Sequence, residues 1–462
     1  MVEIIIVKPH NHQYKRHQLT FIATFIQKVG TFMLERLFDL KAHNSSAGTE
    51  IMAGVSTFLT MAFIIAVNPA ILSDAGIDFA SAFIATIAAT ILGTLIMGLY
   101  AKWPVAVAPG MGLNAYFAYV VVLGYGLSFQ QALAAIFISS VAFFIFSLSR
   151  IRGWLITSIP SSLQIGITAG IGLFLALIGL TGANIIVANP DTIVGFGDIS
   201  QSDVILSLIA LVMMAGLEAR GIRGGILISI IVITVIGWSL GLAEFSGIMA
   251  LPVASSAAFS LDFSALATPA FLSIVFVMFF VDFFDTTGTL TAIAGPAGKR
   301  REDGSIDGLD KAVLADTSAS IFGSLLGTST LTTYLESAAG IKAGGRTGLT
   351  AVVVAALFAL CLFFEPLFAS IPAYATAPAL IYVAFSFLSG LKHVTWSDTA
   401  DALPVMVMMV IMPLSFSIAA GISLGFLAYV GIRLLAGRAQ EITGGIWLVT
   451  LFGVIWLILN QM

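Results

Sequence analysis

The sequence predicts an all-α polytopic membrane protein, with fourteen transmembrane segments arranged as two inverted repeats of seven. Three observations predict it. Of 462 residues 59% are hydrophobic and only 10% charged, with mean hydropathy +1.05, against about 25% charged in an ordinary soluble domain. The Lys and Arg residues alternate in register with the apolar runs. Two of the runs, seven positions apart, are broken in the same way.

The apolar runs are Ile51–Leu72, Phe79–Tyr100, Val105–Val122, Phe129–Leu148, Leu155–Leu180, Val204–Leu217, Gly224–Leu242, Phe271–Ala292, Ala312–Leu326, Tyr334–Ile341, Leu349–Phe364, Tyr374–Leu388, Leu403–Pro413 and Ser417–Leu435. The preceding residues, through position 50, read as a cytoplasmic leader. Its first 32 residues carry Lys8, Lys15, Arg16 and Lys28 without the small-residue cleavage pattern of a signal peptide, and Met33 reads as a more natural beginning. The last run, Ile446–Leu459, is short for a span of about 20 residues, which leaves a surface-lying helix as the alternative.

Charge tests the count, because Lys and Arg concentrate on the cytoplasmic side. With the N-terminus inside, all twenty Lys and Arg fall in the leader or in inner loops, while outer loops hold acids such as Asp74, Asp191, Asp262 and Glu365. Adding or dropping one segment breaks this pattern for everything downstream. By this reading no Lys or Arg lies within a span.

The third segment runs from a β-friendly VAVA through Pro109-Gly110-Met111-Gly112 into helical sequence. The tenth, GTSTLTTYLESAAG, places Thr and Ser before a short helix starting near Tyr334. Each is read as a short strand plus a half-helix. Irregular backbone at membrane depth survives only where it lines a cavity or is buried in protein, and an odd repeat length inverts the second copy. Paired interrupted segments point to a transporter's binding site. Thr328, Thr330, Thr332 and Thr333 are expected to satisfy local backbone in the broken tenth segment.

The eighth segment, FLSIVFVMFFVDFFDTTGTLTA, carries Asp282 and Asp285 in its middle, at a cost of about 2.5–3.5 kcal/mol for a carboxylate even on lenient scales. Asp282, Asp285, Thr286 and Thr289 fall at i, i+3, i+4 and i+7, one helix face that should look into a polar cavity. Glu336 lies in the tenth segment. If the repeats bring the eighth and tenth segments together, Asp282 and Glu336 face one site, where two carboxylates repel and one can hold a proton at neutral pH. Asn114, near the start of the first half-helix, offers a donor and an acceptor to a ligand. The half-helix N-termini suit an electron-rich edge. A carboxyl-rich site fits a neutral solute rich in N–H groups better than an anion.

Other chemistries are excluded or poorly supported. The single Cys361 leaves no disulfide within the chain and no Cys zinc site, and no His lies in an apolar segment. Gly421-Ile422-Ser423-Leu424-Gly425 matches G-x-S-x-G without a His at similar depth, so no enzyme is expected. Lys299-Arg300-Arg301 is a topology signal in a hairpin loop, not a nucleic-acid site. Spacings such as Gly166/Gly170, Gly237/Gly241 and Gly421/Gly425 read as close helix packing.

GMGLNAYFAY at 110–119, VDFFDTTGTL at 281–290 and GTSTLTTYLESAAGI at 327–341, with LERLFDLKAH and GVSTFLTMAFIIAVNP near the front, resemble the AzgA-like adenine/guanine/hypoxanthine permeases of the nucleobase-cation symporter-2 (NCS2) superfamily, from Met33 onwards. The resemblance implies proton symport of purine bases through the cell membrane by an elevator-like motion, often as a homodimer, with no cofactor beyond the coupling proton. It implies a core domain from segments 1–4 and 8–11 (residues 51–150 and 266–365) and a gate domain from 5–7 and 12–14 (151–265 and 366–440), with a tail at 441–462. Carried across, the substrate residues are Asn114, Asp282 and Glu336, the proton-coupling residues Asp282, Asp285 and Glu336, and their supporting neighbours Thr286, Thr333, Tyr334 and Ser337. Uracil and xanthine carriers place Glu where Asp282 stands, and many carry a Gln/Glu-Asn-x-Gly signature in the tenth segment. This chain lacks that signature, which argues against xanthine or urate. The alternative is an anion exchanger or channel on the same architecture, which predicts a site free of carboxylates.

Overall fold

The computed structural model describes residues 33–149 and 158–459. The leader through residue 32, the start of the fifth segment at 155–157, and Arg150 and Arg152 lie outside the described residues. The first segment is one rod of two helices, α1 (Ala47–Met61) and α2 (Ile64–Asp74). Ser46 caps it by accepting from the Thr49 N–H at 3.2 Å. Helix α3 (Phe79–Ile96) starts on an Asp78 cap and ends in a π-helical turn, after which Lys102 takes a left-handed conformation. The chain then forms β1 (Val107–Pro109), α4 (Met111–Ala115) with its π-helical continuation to Val122, and α5 (Phe129–Leu148), opened by a Ser128/Gln131 capping box.

Helix α6 (Ser161–Gly182) leads to a hairpin, β2 (Ile186–Asn189) and β3 (Ile193–Phe196), then to α7 (Ser202–Ala219) and α8 (Gly225–Ser239). The second half runs through α9 (Pro269–Ala294), α10 (Leu309–Leu326), β4 (Leu331–Thr333), α11 (Ser337–Lys342), α12 (Gly348–Cys361) and α13 (Glu365–Ala369). It continues with α14 (Ala373–Leu388), α15 (Thr399–Leu414), α16 (Ile418–Leu435) and α17 (Gly444–Leu459). Each of the fourteen expected segments is present, the third and tenth as strand plus short helix.

Packing sorts the helices into two groups. α10 packs on α3 and α5, α12 on α1 and α3, α9 on α5, and α11 on α1; in the other group α6 packs on α14 and α15, α7 on α8 and α14, and α15 on α16. On α9, Phe279 and Phe283 meet Phe143 and Phe146 of α5 edge to face, with ring centroids 5.4–5.8 Å apart. Met408 and Met412 of α15 fill the hollows above Gly166 and Gly170 of α6 and above Gly421 and Gly425 of α16. These are close crossings at two of the three small-residue spacings; at the third, Gly237 meets Tyr374 but Gly241 lies beyond the helix end with open space around it.

Strands β1 and β4 pair antiparallel in the interior, Val107 opposite Thr333 and Pro109 opposite Leu331. Their outer edges are completed by hydroxyls rather than by further strands. Thr94 of α3 bonds both the N–H and the C=O of Val107, at 3.0 and 2.9 Å. Ser320 of α10 does the same for Leu331, at 3.1 and 2.7 Å. The second and ninth segments thus satisfy the third and tenth in the same manner, as two copies of one unit would, so the Val107 and Leu331 edge groups are paired at depth. The threonines of the tenth segment therefore do not do the job expected of them. Thr328 accepts from Asn68, Thr330 turns to Met278, and Thr332 meets Thr286.

One other expectation is corrected. Arg433 lies in the last turn of α16 with its side chain buried, bonded to Asp401 (2.7 Å), Glu441 (3.2 Å) and the Ala400 carbonyl, with Tyr429 stacked 3.6 Å beneath it. A cation does occupy a span's end, and it is paired. The last run, left open between a span and a surface-lying helix, forms α17 (Gly444–Leu459). It packs along α16, its Phe452 ring is 5.3 Å from Phe276, and Trp456 donates to Ser273 of α9.

Candidate functional site

Between the two groups of helices lies a cavity of about 590 Å³. One wall is α9, β4 and the start of α11, contributing Asp285, Thr289, Thr333 and Glu336; the other is α6, α7 and α14, contributing Thr168, Glu218, Tyr382 and Phe387. Its mouth, with Arg223 and Lys342, is on the side that carries the Lys and Arg loops. A second groove of about 540 Å³, between α15 and α16, is lined by Leu403, Met406, Leu424 and Leu427 and offers no chemistry.

Glu336 reaches the cavity because the strand ends just before it. Tyr334 donates its backbone N–H to Ala106 (3.0 Å) and its hydroxyl to Pro109 (2.6 Å), and Thr60 of α1 donates to the Glu336 carbonyl at 3.3 Å. Ser337, buried, accepts the Ala106 N–H at 3.1 Å. The carboxyl is therefore delivered by a backbone fixed from three elements, while its side chain stays half-buried at the cavity wall.

On α9 the expected single face is divided. Asp285 and Thr289 line the cavity, whereas Asp282 is 1% exposed and Thr286 fully buried, turned towards α10. Each residue turns a helix by about 100°, so Asp282 and Thr286 stand a little further round than Asp285 and Thr289. That difference separates an open wall from a packed one. Behind the wall Thr286 donates to Asp316 Oδ2 at 2.6 Å and stands 3.4 Å from Asp282 Oδ1. The carboxyl that approaches Asp282 is thus Asp316, not Glu336. The sequence reading passed over Asp316, although the depth argument that singled out Asp282 applies equally to an Asp inside the ninth segment.

Asn114 does not line the cavity. It is buried, donates to Asn68 Oδ1 at 2.9 Å, and leaves its own Oδ1 without a partner. Asn68 donates in turn to Thr86 (2.7 Å) and Thr328 (3.0 Å). Sequence reasoning also missed Asn68, a buried amide whose signal was again polarity at depth. Of the residues singled out, Asp285, Thr333, Tyr334 and Glu336 meet at the cavity, Asp282 and Thr286 form a layer behind it, and Asn114 belongs to a network on α2 and α3. The described residues contain no group of His, Cys, Asp and Glu suited to a metal ion.

The site can accept hydrogen bonds from a solute through its carboxyls, which can also hold protons, and the rings of Tyr382 and Phe387 can cover a flat ring. The chain matches the family Xan_ur_permease, described as Permease family, over residues 48–424. It is 41% identical over 430 residues to the adenine permease AdeP of Escherichia coli K12, covering 93% of this chain and 97% of AdeP. It is 40% identical over 415 residues to the guanine/hypoxanthine permease PbuO of Bacillus subtilis 168, covering 88% and 96%. In fold it is similar to the transmembrane domain of a cyanobacterial bicarbonate transporter, BicA, with TM-score 0.61 at 17% identity over 83% of this chain and 97% of that one. It is also similar to SLC26A9, with TM-score 0.61 at 10% identity over 94% and 73%. These neighbours share the inverted 7+7 repeat.

Proposed function

The chain belongs to the nucleobase-cation symporter-2 permease family, and from that premise we propose that it takes up adenine, guanine or hypoxanthine together with protons, by elevator-type alternating access across the cell membrane. It is a permease and not an enzyme. The observation that carries the proposal is the pair of carboxyls, Asp285 and Glu336, on one wall of a cavity between two packed groups of helices. Purine bases present ring and exocyclic N–H groups, which carboxylates accept well. A carboxyl that is protonated while the base is bound, and loses its proton on the other side, couples the two fluxes.

In this reading the group holding β1, β4 and α9 is the core that carries the site, and the group of α6–α8 and α14–α16 is the gate against which it moves. Asp282, Thr286 and Asp316 form an acid pair sharing one hydroxyl behind the site, supporting the proton-coupling role of Asp282. Asn114 acts through Asn68, setting the half-helix rather than touching the base. The anion-carrier reading is favoured only by the fold neighbours, and a cavity wall of two carboxyls repels an anion.

The test is uptake of radiolabelled adenine, hypoxanthine, guanine and uracil into cells lacking their own carriers, with and without a protonophore. Purine uptake that collapses with the proton gradient supports the proposal. Purine uptake indifferent to the gradient sinks the coupling, and uptake of no base sinks the substrate class.

A further inference from the structure

The cavity has a third carboxyl, on the opposite wall. Glu218 is the penultimate residue of α7, half-buried, and faces the same space as Glu336 and Asp285. Helix α11 separates Glu336 from Lys342 at the mouth by six residues, about 9 Å of helix, and Glu218 stands with Gly221 and Arg223 at that mouth. The carboxyls are therefore staggered in depth, Glu336 further in and Glu218 nearer the exit.

Glu218 is held in place from outside the cavity. The turn that follows it is fastened to α1, where Arg223 donates to Ser56 at 2.7 Å. Gly224 adopts a left-handed φ of +77° and lies so close that a Cβ would come within 2.8 Å of the Leu59 carbonyl. Glu218 Oε1 rests against Gly225, the first residue of α8, near enough that a Cβ there would approach to 3.2 Å.

We propose that Glu218 is the proton-exit residue of the transport cycle: it takes the proton that Glu336 or Asp285 gives up after the base has left, and passes it to bulk water. The inference rests on the proton-coupled reading above. In the step, the O–H bond of the inner carboxylic acid breaks, its proton crosses the water of the open cavity to a Glu218 oxygen, and leaves from there to solvent, with no other bond changed. The titratable and charged groups facing Glu218 are Glu336 and Lys342 on the α11 side, Asp285 on α9, Tyr382 on α14, and Arg220 and Arg223 on its own turn; α8 brings none. The cations lie at the mouth, on the solvent side of Glu218.

A carboxyl that only releases protons matters for net transport and not for exchange, since exchange returns the loaded carrier with its proton in place. The experiment uses proteoliposomes of the full chain and labelled adenine or hypoxanthine, comparing net uptake driven by a pH gradient with counterflow into preloaded vesicles. Glu218→Gln is expected to slow net uptake about tenfold or more, a modest proton-transfer loss, while counterflow and its concentration dependence persist, and Glu218→Asp recovers net uptake. Counterflow falling in step with net uptake, or net uptake unchanged, overturns the assignment. Wild-type net uptake without any response to the gradient overturns the coupling itself, whatever the variants do.

Discussion

Thr286 gives its single hydroxyl proton to Asp316 at 2.6 Å, while its oxygen stands 3.4 Å from Asp282. One donor between two buried acids can serve only one of them at a time. Replacing it with valine removes the donor and leaves a buried acceptor unpaired, at a cost of about 1–3 kcal/mol. Thr286→Val should lower the thermal midpoint in detergent, and Thr286→Ser should keep it; equal midpoints for Val and Ser would show that the bond contributes nothing.

The β1/β4 ribbon depends on one hydroxyl at each edge. Thr94→Val and Ser320→Ala each strand an N–H and a C=O at depth, costing about 1–3 kcal/mol per stranded group. The two strands pair with each other, and Gly93 beside Thr94 packs on Ala319 beside Ser320, so the double variant should depart from additivity. Unfolding of purified protein followed by tryptophan fluorescence checks both the loss and its additivity.

Gly348 sits directly on the Gly98 carbonyl, where α12 begins against the end of α3, so a methyl group there collides with backbone. Gly431, in the middle of α16, has open space around it. Gly348→Ala should therefore cost about 1–3 kcal/mol or more, whereas Gly431→Ala should stabilise by about 0.5–1 kcal/mol through helix propensity. Melting curves of the two variants should move in opposite directions.

The turn before α17 is fastened by Arg438, which bonds Asp398 at 2.8 Å and Glu441 at 2.7 Å. Those hydrogen bonds hold both carboxyls below their ordinary range. A carboxyl lowered in the folded state stabilises fully above its unfolded value, about pH 4, and loses that contribution as the pH falls through the folded value. Proteolytic cleavage near residues 436–443 should thus rise as the pH drops below about 4, and Arg438→Gln should shrink that step, Arg433 still holding Glu441.

Much of this molecule was readable in advance. The alternation of Lys and Arg sets the path, and the Pro-Gly break at 109–110 and the Thr run at 328–333 mark the two strands that pair. Asp285 and Glu336 were identifiable because charge at depth needs a purpose. What escaped was the division of labour around a helix. Whether Asp282 faces water or α10 depends on a neighbour about 30 residues away, and Asp316 is inconspicuous among the Ala, Ser and Thr of LADTSAS. Glu218 falls just past the sixth apolar run, and only the approach of α11 makes it part of the cavity. Arg433 was assigned to a loop because no pattern announces that Asp401 and Glu441 converge on it.

The most direct test of proton-coupled purine uptake is proton movement itself. The full-length protein in vesicles with a trapped pH indicator, and no imposed gradient, would receive adenine or hypoxanthine from outside. Acidification of the interior on addition of base, absent with uracil and absent in Glu336→Gln, is what coupled transport predicts. Accumulation of labelled base with no accompanying change in internal pH would contradict it.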